Sequence, residues 1–206
     1  MEKAKNVQEY IARQRAALAK NPECGMSHYN LAVALLGLGK DEAAEASLHD
    51  AIECSPTLAE AYVQLGGICL KRGDLEGCLQ YNTMAVNTRA GFAEGYGNIG
   101  FVHMQQGNLD KAVPALEKAV RWNPKFIQAY ATLANAYLAQ GQIEKSIETN
   151  LKLLALDPQF AVAYNNLAIA YMEKGEFDLA IENADKALAM GYEVAPQIMA
   201  ELQAHR

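Results

Sequence analysis

Residues 127–160 read IQAYATLANAYLAQGQIEKSIETNLKLLALDPQF, and the same pattern recurs along almost the whole chain. Gly39, Gly73, Gly107, Gly141 and Gly175 follow one another at intervals of 34 residues without a slip. Pro56, Pro124 and Pro158 lie on a second lattice of the same period, which Pro22 extends towards the N-terminus. Within 127–160, Tyr130, Leu133, Ala134 and Tyr137 stand at i, i+3, i+4 and i+7, the apolar face of a first helix. Gly141 supplies the left-handed residue that ends such a helix. A second helix follows, and Pro158, which has no amide and restricts the residue before it, marks where that helix stops. A fixed period of this length predicts an array of helical hairpins, each packed on its neighbours rather than around one central core.

The lattice divides the chain into five complete units: 25–58, 59–92, 93–126, 127–160 and 161–194. Residues 2–20 carry Val7, Tyr10, Ile11, Gln14, Ala17 and Leu18 at helical spacing. Measured back from Pro22, these take the places of Ile143, Ser146, Ile147, Asn150, Leu153 and Leu154, so 1–24 reads as a half unit consisting of a second helix. Residues 195–206, with Ile198, Met199 and Leu202, are expected to form one closing helix that shields the end of the array. This gives twelve helices and no strand.

Each hairpin brings a small residue of its second helix (Ala44, Cys78, Ala112, Ser146, Ala180) against a small residue of its first (Ala32, Gly66, Gly100, Ala134, Ala168). A bulky side chain at either place would overpack the crossing by about 1–3 kcal/mol. Pro114 lies inside a second helix, where it removes one hydrogen bond and should bend the helix slightly. The third unit is rich in glycine: Gly100 has the crossing as its reason, whereas Gly95 and Gly97 have none in the pattern and leave space beside Asn98 and Phe101.

With 51% apolar and 20% charged residues, the chain can bury a continuous spine. A formal charge of −6 argues against nucleic acid as a partner, since phosphate contacts need clustered Lys and Arg. No apolar run approaches the roughly 20 residues that span a bilayer, and MEKAKNVQEYIARQ lacks the apolar core of a secretory signal. Four cysteines without paired spacing suit a reducing compartment. A soluble, cytoplasmic protein is the expectation. Cys24 and His28 are spaced i, i+4, but no second pair completes a structural metal site, and His103 takes a core aromatic place. Phosphate loops, nucleophile motifs and paired catalytic carboxylates are missing, so neither catalysis nor a cofactor is expected. Glu42, Glu76, Asp110, Glu144 and Asp178 open second helices, where the helix dipole favours them.

Tyr-x-x-Leu-Ala-x-x-Tyr, then Gly, a small residue and Pro at period 34, closely resembles the tetratricopeptide repeat over residues 25–194, with a half unit before it. The departures are Ala90 and Tyr192 for the closing proline, His28, Leu35 and His103 for aromatics of the first helix, and Asn82, Asn150 and Ala184 for an aromatic of the second, which should loosen their units. The resemblance implies an all-α, right-handed superhelical solenoid whose first helices line a concave groove for peptides or partner helices.

On that implied groove one column reads Asn30, Gln64, Asn98, Thr132, Asn166; its amides can donate and accept at once and so hold a peptide backbone. The next column, Val33, Gly67, Phe101, Asn135, Ile169, offers Val33, Phe101 and Ile169 as apolar contacts and Asn135 as a further amide. Tyr29, Gly97 and Asn165 stand on the same face. A further column, Leu36, Leu70, Met104, Leu138, Met172, reads as packing between units. The family's carboxylate clamp needs cations where this chain has Met26, Glu60, Glu94, Gln128 and Val162, so an acidic-tail adaptor is disfavoured. The expected partner is a protein or peptide in the groove. The alternative is self-assembly: a homo-oligomer formed through Val7, Tyr10, Ile11 and Leu18 of the N-terminal half unit.

Overall fold

A computed structural model describes residues 2–206, with side chains from Asn6 onward. Among the described residues the chain forms twelve helices and no strand: α1 (Glu2–Lys20), α2 (Gly25–Leu36), α3 (Asp41–Cys54), α4 (Ala59–Lys71), α5 (Leu75–Thr88), α6 (Ala93–Gln105), α7 (Leu109–Trp122), α8 (Ile127–Ala139), α9 (Ile143–Leu156), α10 (Ala161–Glu173), α11 (Phe177–Ala189) and α12 (Pro196–Gln203). They fall into two compact units, Met1–Ile99 and Gly100–Arg206. In the first, α2 pairs with α3 and α4 with α5; in the second, α8 pairs with α9 and α10 with α11.

The turns follow the glycine lattice. Gly39, Gly73, Gly107, Gly141 and Gly175 all have φ between 70° and 78°, where only glycine sits without strain. At the end of α8, Gly141 N–H donates to Leu138 O and Gln142 N–H to Tyr137 O, both at 2.9 Å, which satisfies carbonyls that the helix leaves open. Where the closing proline is replaced, another glycine turns the chain. Gly91 beside Ala90 and Gly191 beside Tyr192 also have positive φ, just beyond α5 and α11.

The crossings are closely packed. Ala44, Ala112, Ser146 and Ala180 are fully buried and Cys78 nearly so, opposite buried Ala32, Ala134 and Ala168. A Cβ on Gly66 would stand 2.3 Å from Asn82 Nδ2, and one on Gly100 would stand 2.5 Å from Leu116 Cγ. Gly95 has a packing reason that the repeat pattern hides: its Cβ would come 2.7 Å from Val86 Cγ1. The space expected there for a ligand is filled by α5.

Asn82 and Asn150 fill the interiors of their units in place of the aromatic. Both are fully buried. Their Nδ2 groups donate back to Cys78 O at 2.8 Å and Ser146 O at 3.0 Å on their own helices. His28 is likewise accommodated. Tyr62 and Tyr164 donate their hydroxyls to the carbonyls of Pro56 (3.1 Å) and Pro158 (3.3 Å). His28 makes the equivalent bond, its Nε2 donating to Pro22 O at 2.8 Å. Its Nδ1 lies 3.5 Å from Asp50 Oδ2. No group of three or more metal-binding side chains occurs among the described residues.

α7 runs unbroken through Pro114. The acidic residues expected to open second helices are in the first turns of α3, α5, α7, α9 and α11. In the second unit, α12 buries Leu202 completely against Ala168, Ala180 and Ala184, and the His205 ring stacks on Phe177 at 3.4 Å. No described helix is long and apolar enough to cross a membrane.

Candidate peptide-binding face

The residues expected to contact a peptide lie on the first helices of both compact units. In the first unit, α1 and α2 enclose an open groove of about 600 Å3 lined by Asn6, Val7, Tyr10, Tyr29, Asn30, Val33, Ala34 and Gly37. It brings together Tyr29, Asn30 and Val33 and adds a wall from α1. Tyr10 and Val33 are each 41% exposed, so this wall is apolar and wet. Tyr10 occupies the place where every complete unit holds a small buried residue. Spacing alone identifies Tyr10 as part of an apolar stripe; its share in the groove depends on how α1 lies on α2.

Burial, and then the charge of Glu60, push the Tyr29 phenol above its ordinary value, while a hydrogen bond with Gln64 works the other way. Glu60 is itself paired with Arg89, whose guanidinium also lies 4.0 Å over the Phe92 ring. Gly97 is buried and Asn98 half-buried. Asn98 Nδ2 donates to Asn82 Oδ1 at 2.9 Å, so this amide is tied to the core of its own unit.

In the second unit, Phe101 and Ile169 are half-buried. Asn165 and Asn166 are buried, and Asn166 Nδ2 donates to Asn135 Oδ1 at 2.5 Å. Thr132 donates to Gln128 O of its own helix at 2.9 Å. The polar column is therefore partly satisfied from within. Val33 is exposed and Phe101 and Ile169 are half-buried, so each keeps some apolar surface open. Leu36 and Met172 of the further column pack against the cores of their units.

Another cleft of about 450 Å3 in the second unit lies among α7, α8 and α9, lined by Glu117, Arg121, Tyr130, Tyr137, Lys145 and Lys152 among others. There Tyr137 donates its hydroxyl to Glu117 Oε1 at 2.6 Å, and Lys145 Nζ sits 5.3 Å from the Tyr137 ring centre.

Models of the tetratricopeptide repeat match residues 11–59, 103–153 and 160–194, and a model of the TPR repeat matches 134–175; together they take in more than half of the chain. No curated protein sequence matches it. Among solved structures, YrrB, described as a TPR protein with an unusual peptide-binding site, is 20% identical, with 93% of this chain and 97% of that one covered and a TM-score of 0.76. MamA from Desulfovibrio magneticus RS-1 is 23% identical over 81% of this chain and 94% of its own, with a TM-score of 0.71. PilF of Pseudomonas aeruginosa is 17% identical over 99% and 92%, with a TM-score of 0.82. At these identities the likeness is one of fold. On the repeat models and the hairpin architecture together, the chain belongs to the tetratricopeptide-repeat family.

Proposed function

We propose that this chain is a non-enzymatic scaffold that holds an extended or helical peptide of a partner protein on its first-helix face. The observation that carries this reading is the groove between α1 and α2, where the apolar Tyr10, Tyr29 and Val33 stand beside the Asn30 amide. Apolar side chains supply the burial and the amide fixes the register of a backbone. The peptide-binding site in the name of YrrB supports the same use of the fold. The test takes peptides selected from a random phage-displayed library on the full chain and measures their affinity by fluorescence polarisation. Val33→Asp and Tyr29→Ala are expected to weaken binding by about tenfold or more, the range for losing a buried anchor. Affinities unchanged in both variants overturn the reading.

A second reading, self-association through the half unit, rests on the exposure of Tyr10 at a place that is buried in every complete unit. Light scattering over a concentration series decides it: the mass should rise with concentration for the native chain and stay constant for Tyr10→Arg. A native chain whose mass never changes ends this reading.

A further inference from the structure

The turn between α1 and α2 carries Cys24, and the last turn of α3 carries Cys54. The antiparallel hairpin of α2 and α3 brings these two turns together. The Cys54 thiol lies 3.9 Å from Pro22 O, two residues before Cys24. The residues that follow the two cysteines abut: a Cβ on Gly25 would stand 2.4 Å from Ser55 Oγ and 2.9 Å from Ala51 O. Both cysteines are partly open to solvent, whereas Cys69 and Cys78 are buried.

Their surroundings differ. Cys24 is the N-cap residue of α2, and its sulfur accepts a hydrogen bond from Ser27 Oγ at 3.2 Å. That bond, with help from the amides of Ser27 and Met26, holds the thiol below its ordinary value. A thiolate at a helix N-terminus is the form that reacts with oxidants. Burial, then the charges of Glu53, Glu23, Asp50 and Cys24 itself, keep Cys54 above its ordinary value. Burial also pushes Cys78 up, to about 11.

We propose that Cys24 and Cys54 form a redox-sensitive pair in which a hydroperoxide oxidises Cys24 and Cys54 then closes a disulfide that ties the N-cap of α2 to the end of α3. In the first step the Cys24 thiolate attacks the hydroperoxide. The S–O bond forms, the O–O bond breaks, and the leaving oxygen takes up the proton released when the thiol ionised, giving a sulfenic acid and an alcohol or water. In the second step the Cys54 sulfur attacks Cys24; the S–S bond forms, the S–O bond breaks, and the hydroxyl leaves with the Cys54 proton as water. Two thiols are oxidised and one peroxide bond is reduced.

The test treats the full native chain with hydrogen peroxide, alkylates the remaining thiols and maps the peptides by mass spectrometry. The expected product is a Cys24–Cys54 linked peptide that dithiothreitol reverses, with Cys69 and Cys78 still alkylated. Cys54→Ser should halt at a Cys24 sulfenic acid that dimedone traps, and Cys24→Ser should give no link. Oxidation that stops at Cys24 in the native chain, a link only between separate molecules, or earlier loss of Cys69 and Cys78 overturns the proposal.

Discussion

The side-chain amide of Asn98 donates to Asn82 Oδ1 across 2.9 Å, joining α6 to the buried interior of the α4–α5 hairpin. Two repeats further on, Asn166 and Asn150 hold the same places and do not make this bond. Asn166 donates to Asn135 instead, and Asn150 Oδ1 is buried without a partner. The same pair of residue types is thus satisfied in one unit and divided in the other.

The two sites should respond differently to truncation. Asn98→Ala strands a buried oxygen and should lower stability by about 1–3 kcal/mol. Asn166→Ala leaves Asn135, which is half-buried and can turn to water, and should cost less. Urea unfolding of the two variants measures the difference, and equal losses would show that the Asn82 bond carries no special weight.

Glycine substitutions separate helix propensity from packing. Gly67 is exposed with nothing within 4 Å of a Cβ, so Gly67→Ala should stabilise by about 0.5–1 kcal/mol. Gly95→Ala and Gly100→Ala gain the same propensity but push into Val86 and Leu116, and both should destabilise. Thermal unfolding of the three variants gives the signs.

Tyr137 should resist alkali. Burial, followed by the hydrogen bond and charge of Glu117, raises the phenol above its ordinary 10.0 in the folded chain. The unfolded chain ionises near that ordinary value, so this contribution to stability is intact below it and is lost as the pH rises from there through the folded value. In strong alkali, stability should fall less steeply in Tyr137→Phe than in the native chain. Phenolate absorbance of the native chain should show Tyr137 among the tyrosines that lag behind the exposed set, together with Tyr29 and Tyr81, and the lagging amplitude should shrink in Tyr137→Phe.

Leu202 is the buried side chain of α12, with Ile198 partly buried beside it. Leu202 is fully buried against Ala168, Ala180 and Ala184, and Leu202→Ala should cost about 2–5 kcal/mol, less if α12 detaches as a unit. Hydrogen exchange along α11 and α12 shows which: protection lost in both helices is expected, and protection unchanged in both would mean that α12 does not shield its neighbour.

The period by itself determined the helices, their turns and the small-residue crossings, because a repeat states the same local and nearest-neighbour physics five times over. The positive φ of Gly141 and the buried Ser146 follow from their lattice places alone. What only the tertiary structure decided was every relation that departs from the repeat. Gly95 makes room for Val86, His28 takes over a tyrosine's bond to a proline carbonyl, and Asn98 turns inward to Asn82. Tyr10 lines a groove with Tyr29 and Val33, and the turn that carries Cys24 meets the end of α3 that carries Cys54. Such contacts join residues from different helices, and they depend on side-chain reach and on the angle at which two helices meet, neither of which a one-dimensional spacing contains.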